Sequence, residues 1–187
     1  MLAGGQGRRL GGVDKAMVEI AGTTMLDRVL ASAAPHCDDL VVVGPVRPTA
    51  VDGVRFTIEH HRGGGPVPAV AAGLAAAPEP DTVLVLAVDL PLLTAADVAV
   101  LLDALEAGGV AAAAAVDDRG APNPLLAVYR APELRRTIGG LGAGDRAGRL
   151  LPPNTVTVNL GQAAFNVNGP DDLERARHLY ARRASPQ

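Results

Sequence analysis

The chain has 187 residues, 48% of them hydrophobic, and a formal net charge of -3. With two Phe, two Tyr and no Trp, its core must be built from Ala, Val and Leu. So few aromatic platforms, and no basic run beyond pairs such as Arg8-Arg9 and Arg182-Arg183, argue against nucleic acid as a partner.

The single cysteine, Cys37, excludes an internal disulfide, and no Cys/His cluster has structural-zinc spacing. Apolar stretches such as residues 83–88 and 110–116 are far shorter than a bilayer span. A cytoplasmic protein of one domain, covering residues 1–187, is the expectation.

In chain order, Met1-Leu2-Ala3 opens as a brief first strand or as the end of one that begins upstream. A glycine-rich loop follows at once, without signal-peptide architecture. Aliphatic runs at 41–43, 54–58, 83–88, 110–116, 125–128 and 156–158 read as strands. Several are continuously apolar, as in strands covered on both faces.

Between them, residues 24–34, 67–77, 95–107 and 171–183 read as helices. Thr94 suits an N-cap, and Pro170 followed by Asp171 and Asp172 suits a helix entry. Alternating strands and helices predict an α/β fold with a mostly parallel sheet and helices on both faces. Ligands in such folds sit beyond the carboxyl ends of the strands, and each candidate motif directly follows an apolar run.

The loop closing on Lys15 reads Leu2-Ala3-Gly4-Gly5-Gln6-Gly7-Arg8-Arg9-Leu10-Gly11-Gly12-Val13-Asp14-Lys15. Its glycines let the backbone approach a ligand and turn N–H groups inward, as a phosphate cradle requires. Arg8 and Arg9 bring charge nearby, and Lys15 supplies a point charge for a phosphate. A P-loop would need Ser or Thr after the lysine, where Ala16 stands. A dinucleotide fingerprint would need helix-packed glycines and a later ribose-binding acid; here an Asp-Lys pair ends the loop.

Residues 83–88 deliver Asp89-Leu90-Pro91. A carboxylate at the end of an apolar strand is a way to place a Mg²⁺ ligand beside phosphates, and Pro91 turns the chain away. Glu59-His60-His61-Arg62 leads into a glycine turn and a helix. Adjacent histidines on an extended segment point opposite ways, so they do not make a joint metal site. Asn166 and Asn168 fall on one side of a short strand. Their neutral carbonyls can join Mg²⁺ or hold a phosphate without adding negative charge.

The pattern Leu-Ala-Gly-Gly, Arg, Leu-Gly and Asp-Lys, then Asp89-Leu90-Pro91, Asn123-Pro124-Leu125 and Phe165-Asn166-Val167-Asn168-Gly169-Pro170-Asp171, resembles the molybdenum-cofactor guanylyltransferase family. The matches run from residue 2 to residue 173 in that family's order. The resemblance implies a Rossmann-like three-layer αβα sandwich of the nucleotidyltransferase type. It also implies Mg²⁺-dependent transfer of GMP from GTP to the phosphate of molybdopterin, as the molybdenum cofactor, with release of pyrophosphate. Transient contact with the proteins that receive the finished cofactor goes with it.

Carried over residue by residue, Leu2, Ala3, Gly4, Gly5, Lys15, Gly44, His60 and Asp89 would contact the nucleotide. Lys15, Arg8 and Asp89 would serve catalysis, Asn166 and Asn168 the acceptor, and Asp89 with Asn168 the metal. Three positions depart from the family pattern. Gly7 replaces a small polar residue, His60 falls where an acidic residue is usual with Glu59 beside it, and Gly169 replaces Thr. A relative using CTP, another phosphorylated acceptor and a non-catalytic nucleotide sensor remain as alternative readings. A dinucleotide-binding oxidoreductase would need the glycine fingerprint that the loop lacks.

Overall fold

The computed structural model describes residues 1–4, 11–59, 63–117 and 119–184. After the 3-10 turn Lys15–Met17 comes a short hairpin, β1 (Glu19–Ile20) and β2 (Thr23–Thr24). It leads into α1 (Met25–Ala33), whose N-cap Thr24 accepts from the Asp27 N–H. Then come β3 (Leu40–Val43), β4 (Val54–Thr57), α2 (Pro66–Ala76), β5 (Thr82–Leu86) and α3 (Ala95–Ala107). The chain continues through β6 (Ala112–Val116), β7 (Pro122–Arg130), α4 (Ala131–Gly139), β8 (Thr155–Val158) and α5 (Pro170–Ala184).

The α/β expectation holds, but the sheet is mixed. β3 pairs parallel with β4, and β6 pairs parallel with β8. Leu2 bridges parallel to both Val43 and Ala87, which seats residues 1–3 between β3 and β5. β7 runs antiparallel to both of its neighbours, β5 and β6. The cause is local. The Asp117 N–H bonds the Ala121 carbonyl at 2.8 Å, and its Oδ1 accepts from the N–H groups of Arg119 and Ala121. So tight a turn joins antiparallel neighbours, whereas a parallel return needs a crossover of about a dozen residues.

Strand alternation sends successive side chains to opposite faces. Leu84, Leu86, Ala113, Ala115, Leu126 and Val128 meet Val29 and Ala33 of α1 and Val98, Leu101 and Leu105 of α3. Val83, Val85, Ala112, Ala114, Ala127 and Tyr129 meet Val67 and Val70 of α2 and Leu134 of α4. Helices therefore cover both faces. Burying a side chain such as Leu101 contributes about 2 kcal/mol. The core ring of Tyr129 keeps its hydroxyl satisfied by donating to the Pro124 carbonyl at 2.8 Å, and burial pushes its phenol pKa up. α2 lies close on β3 because a Cβ at Gly73 would stand 2.9 Å from Val43 Cγ2.

α5 packs Ala176, Leu173 and Tyr180 against Ile20 and Met25, with Phe165 and Val167 in the same cluster. The Arg28 guanidinium stacks 4.0 Å from the Tyr180 ring centroid. This packing brings residues 165–168 to the carboxyl end of β5, where the Val167 N–H bonds the Asp89 carbonyl at 2.9 Å. Among the described residues, no helix is long and apolar enough to cross a membrane.

Asp27 ties α1 to the loop after β3. Its Oδ1 accepts from Thr49 Oγ1 at 2.6 Å and from the Ala50 N–H at 3.0 Å, and its Oδ2 accepts from Thr24 Oγ1 at 2.8 Å. Burial opposes the charged form, yet these bonds outweigh it and hold the carboxyl below its ordinary 3.8. A depressed carboxyl stabilises the fold above its unfolded value, and that contribution is lost as the pH falls through the folded one. Asp27→Asn is therefore expected to lower stability at neutral pH and to flatten the acid limb below about pH 4. Denaturant unfolding across that limb is the check; an unchanged acid limb would refute the assignment.

Candidate functional site

Residues 1–3 are stitched to strands on both sides. The Leu2 N–H donates to the Leu86 carbonyl at 2.7 Å, and the Val88 N–H donates to the Leu2 carbonyl at 3.0 Å. On the other edge, the Ala3 N–H bonds the Val43 carbonyl at 2.9 Å and the Val43 N–H bonds the Met1 carbonyl at 2.8 Å. Ala3 is buried and Gly4 emerges exposed, so the glycine loop begins where β3 and β5 end.

Gly44 follows β3 alongside this segment. A Cβ there would meet the Ala3 carbonyl carbon at 2.9 Å and its oxygen at 3.0 Å. Two backbone segments approach each other at this point as only glycine permits.

β5 runs on through Ala87 and Val88 to Asp89. Lys15 Nζ stands 3.3 Å from Asp89 Oδ2, with side chains only 17% and 18% exposed. Asn166 Nδ2 donates to Asp89 Oδ1 at 2.9 Å. Lys15 opens the 3-10 turn Lys15–Met17, which Asp14 caps by accepting from the Ala16 N–H at 3.2 Å. The other Asp14 oxygen accepts from Arg47 Nε at 2.6 Å. Polar contacts thus run from the end of β3 across the glycine loop to Asp89 and Asn166.

The expected residues come together unevenly. Leu2, Ala3, Gly4, Lys15, Gly44 and Asp89 converge at the strand ends. The two asparagines do not share a strand, because residues 165–168 are irregular. Asn166 is half-buried and turned to Asp89, whereas Asn168 is exposed. The Asp172 carboxylate accepts from the N–H groups of Asn168 and Gly169 at 2.8 and 3.1 Å. That contact draws the Asn168 backbone into the entry of α5. Gly5, Arg8, Arg9 and His60 lie outside the described residues. Glu59 accepts from the Gly63 N–H at 2.8 Å.

Two features had no clear signal in the sequence. Arg47 sits in a loop of ordinary composition, and only its contact with Asp14 gives it a place in the site. The loop before the 3-10 turn Ala147–Leu150 leans on the approach to α2, with the Gly144 N–H bonded to the Gly64 carbonyl at 2.9 Å. Within that loop Asp145 pairs with Arg149, and the Gly142 N–H together with Arg149 holds its carboxyl below the usual range.

The Lys15 ammonium suits phosphate. For a cation, the described residues hold no group of three or more His, Cys, Asp or Glu side chains placed to bind a metal. Asp89 is the carboxylate that could hold Mg²⁺ shared with a substrate; its two oxygens accept from Lys15 and Asn166. Mg²⁺ usually takes one or two carboxylates and fills its shell with water and phosphate oxygens.

Comparison with known proteins follows this geometry. The profile of the MobA-like NTP transferase domain matches residues 1–154. A probable molybdenum cofactor guanylyltransferase of Deinococcus radiodurans is 36% identical over 175 residues, covering 91% of this chain and 89% of that relative. A molybdenum cofactor guanylyltransferase of Cereibacter sphaeroides is 28% identical over 188 residues, covering 96% and 94%. Among solved structures, the molybdopterin-guanine dinucleotide biosynthesis protein A of Archaeoglobus fulgidus superposes with a TM-score of 0.68 at 27% identity, over 97% of each chain.

Gly44→Ala tests the close approach. The obstructing atoms belong to the Ala3 backbone, so relief requires the first strand to shift. A stability loss of about 1–3 kcal/mol and a displaced glycine loop are expected. Thermal or denaturant unfolding reads the first; a wild-type midpoint would show that the two segments are not held together here.

Proposed function

The chain belongs to the MobA-like NTP transferase family, and from that premise we propose that it moves GMP from GTP onto the terminal phosphate of molybdopterin, in its molybdenum-cofactor form, releasing pyrophosphate. The observation that carries this reading is the meeting of Lys15, Asp89 and Asn166 where the glycine loop leaves the sheet.

Gly4 and Gly5 of the glycine loop and the Lys15 ammonium take the triphosphate, with Arg8 on the same loop. Leu2 and Ala3, whose N–H groups bond Leu86 and Val43, deliver the chain to the nucleotide. Gly44 and His60 serve the nucleoside. Asn166 and Asn168 serve the acceptor. An acceptor phosphate oxygen attacks the α-phosphorus in line. The bond from that phosphorus to the bridging oxygen breaks, and its electron pair leaves with pyrophosphate. The acceptor phosphate is ionised near neutral pH, so no side chain need act as nucleophile or general base. The protein contributes position and charge.

Mg²⁺ bound at Asp89, with the Asn166 amide beside that carboxylate, would neutralise phosphate charge as the bond breaks. Asn168 had this role from the sequence; its exposed place on the rim favours acceptor contact instead. A cytoplasmic location and hand-over to cofactor-receiving proteins accompany this function.

Incubation with Mg²⁺, molybdenum cofactor and each of the four NTPs, followed by pyrophosphate assay and product mass, tests the proposal. GTP-selective release with a guanylylated pterin is expected, and Asp89→Ala should lower turnover about 100-fold or more. Turnover with CTP would overturn the nucleotide assignment. A protein that binds no nucleotide would overturn the function.

A further inference from the structure

Arg47 lies on the loop after β3, with 8% of its side chain exposed. Nε donates to Asp14 Oδ2 at 2.6 Å and Nη1 donates to the Pro45 carbonyl at 3.2 Å. The loop is fixed at its far end by the Asp27 bonds to Thr49 and Ala50. At its near end it is fixed by Gly44, where a Cβ would stand 3.2 Å from Arg47 Nη1. The guanidinium is therefore held from behind and offers its edge to Asp14.

Asp14 is bonded on both oxygens. Oδ2 takes Arg47, and Oδ1 caps the turn that begins at Lys15. Lys15 in turn reaches Asp89. It is the one lysine among the 17 basic residues of the chain, so no neighbouring lysine can take over its work.

We propose that Arg47 is a positioning residue for the transfer reaction: it holds Asp14 in its capping geometry and so fixes the turn that aims Lys15. The inference rests on the function proposed above. Two physical effects lead to it. A lysine ammonium ends a flexible four-carbon stem, so its aim depends on a fixed backbone origin. Without Arg47 the Asp14 carboxylate, 43% exposed, would also lack a cation partner among the described residues and would compete with phosphate and Asp89 for the adjacent Lys15. Arginine is required because its planar fork serves Asp14 and the Pro45 carbonyl together, which a single ammonium does not reproduce.

The test compares wild type, Arg47→Ala, Arg47→Lys, Asp14→Asn and the Arg47→Ala/Asp14→Asn double variant. GMP transfer is read together with the rate of Lys15 acetylation by acetic anhydride, site-resolved by mass spectrometry. Arg47→Ala should lower kcat about 10- to 100-fold, with KM for GTP within about twofold, and should speed Lys15 acetylation several-fold. Arg47→Lys should recover part of kcat. Asp14→Asn, whose amide oxygen keeps the cap and removes the carboxylate but loses the charged pairing with Arg47, should lower kcat less than the alanine variant. The double variant, with no unpaired carboxylate, should be no worse than Arg47→Ala, as for residues acting in series.

Wild-type kcat and acetylation rate in folded Arg47→Ala would overturn the inference, as would additive losses in the double variant. Should Arg47→Ala fail to fold, Asp14→Asn and Arg47→Lys decide the matter by the same two readouts. Acetylation needs no acceptor. A wild-type protein that fails to transfer GMP would remove the proposed function while Lys15 labelling still decides whether Arg47 fixes its aim.

Discussion

Three residues join the two halves of the sheet. β3 and β5 do not pair with each other; Met1, Leu2 and Ala3 lie between them and bond to both. Successive backbone groups on a strand face opposite edges, so Leu2 serves β5 while Met1 and Ala3 serve β3. Each such bond is worth about 1 kcal/mol net, which is modest. Its larger consequence is geometric: the chain leaves this segment at Gly4, beside Gly44 and within the same strand-end cluster as Asp89. Towards the amino ends of the same strands lies a cavity of about 520 Å³, lined by Leu40, Val41, Leu84 and Gly73 among others. The junction is tight where the polar groups gather and open away from them.

Much of this was legible in the sequence where local chemistry and tertiary structure agree. The 95–107 helix begins where the sequence predicts because Thr94 and Asp97 form a reciprocal capping box. The 83–88 run delivers Asp89 because a buried aliphatic strand has a clear length and a clear stop. The direction of β7 was less legible, since an apolar run has the same periodicity whichever way it runs. It is the turn at Asp117 that reverses the chain. α4 was missed because Arg130 passes directly into Ala131 and Pro132. Without an intervening loop, the strand and the helix read as one unassigned stretch.

The site divides the same way. Leu2, Ala3, Gly4, Lys15, Gly44 and Asp89 gather at the strand ends, but the relation between Asn166 and Asn168 depended on a strand that does not form. Their spacing of two predicts a shared side only if the backbone stays extended through both. The Asp172 carboxylate takes the N–H groups of Asn168 and Gly169, and so starts the helix entry at the second asparagine. Arg47 was illegible for a different reason. An arginine 33 positions from its partner has no local pattern, and its importance comes from being buried against Gly44 and Asp14.

The Lys15–Asp89 pair links this architecture to the proposed chemistry. At about 4 Å and an effective dielectric of about 20, two unit charges attract by about 4 kcal/mol, and desolvation of both groups offsets much of that. A pair only 17% and 18% exposed would leave an unpaired charge if either partner were drawn away alone. Bound nucleotide with its divalent cation offers a replacement for each: phosphate oxygens for Lys15, and the cation for Asp89. Both exchanges must occur together to keep the charges matched. Metal-free nucleotide would satisfy Lys15 and leave the Asp89 carboxylate facing phosphate, while a lone cation would satisfy Asp89 and leave Lys15 facing it. Under the proposed function the ion pair would favour the nucleotide–metal complex over either component, a selectivity arising from two side chains held 3.3 Å apart by a sheet strand on one side and a capped turn on the other.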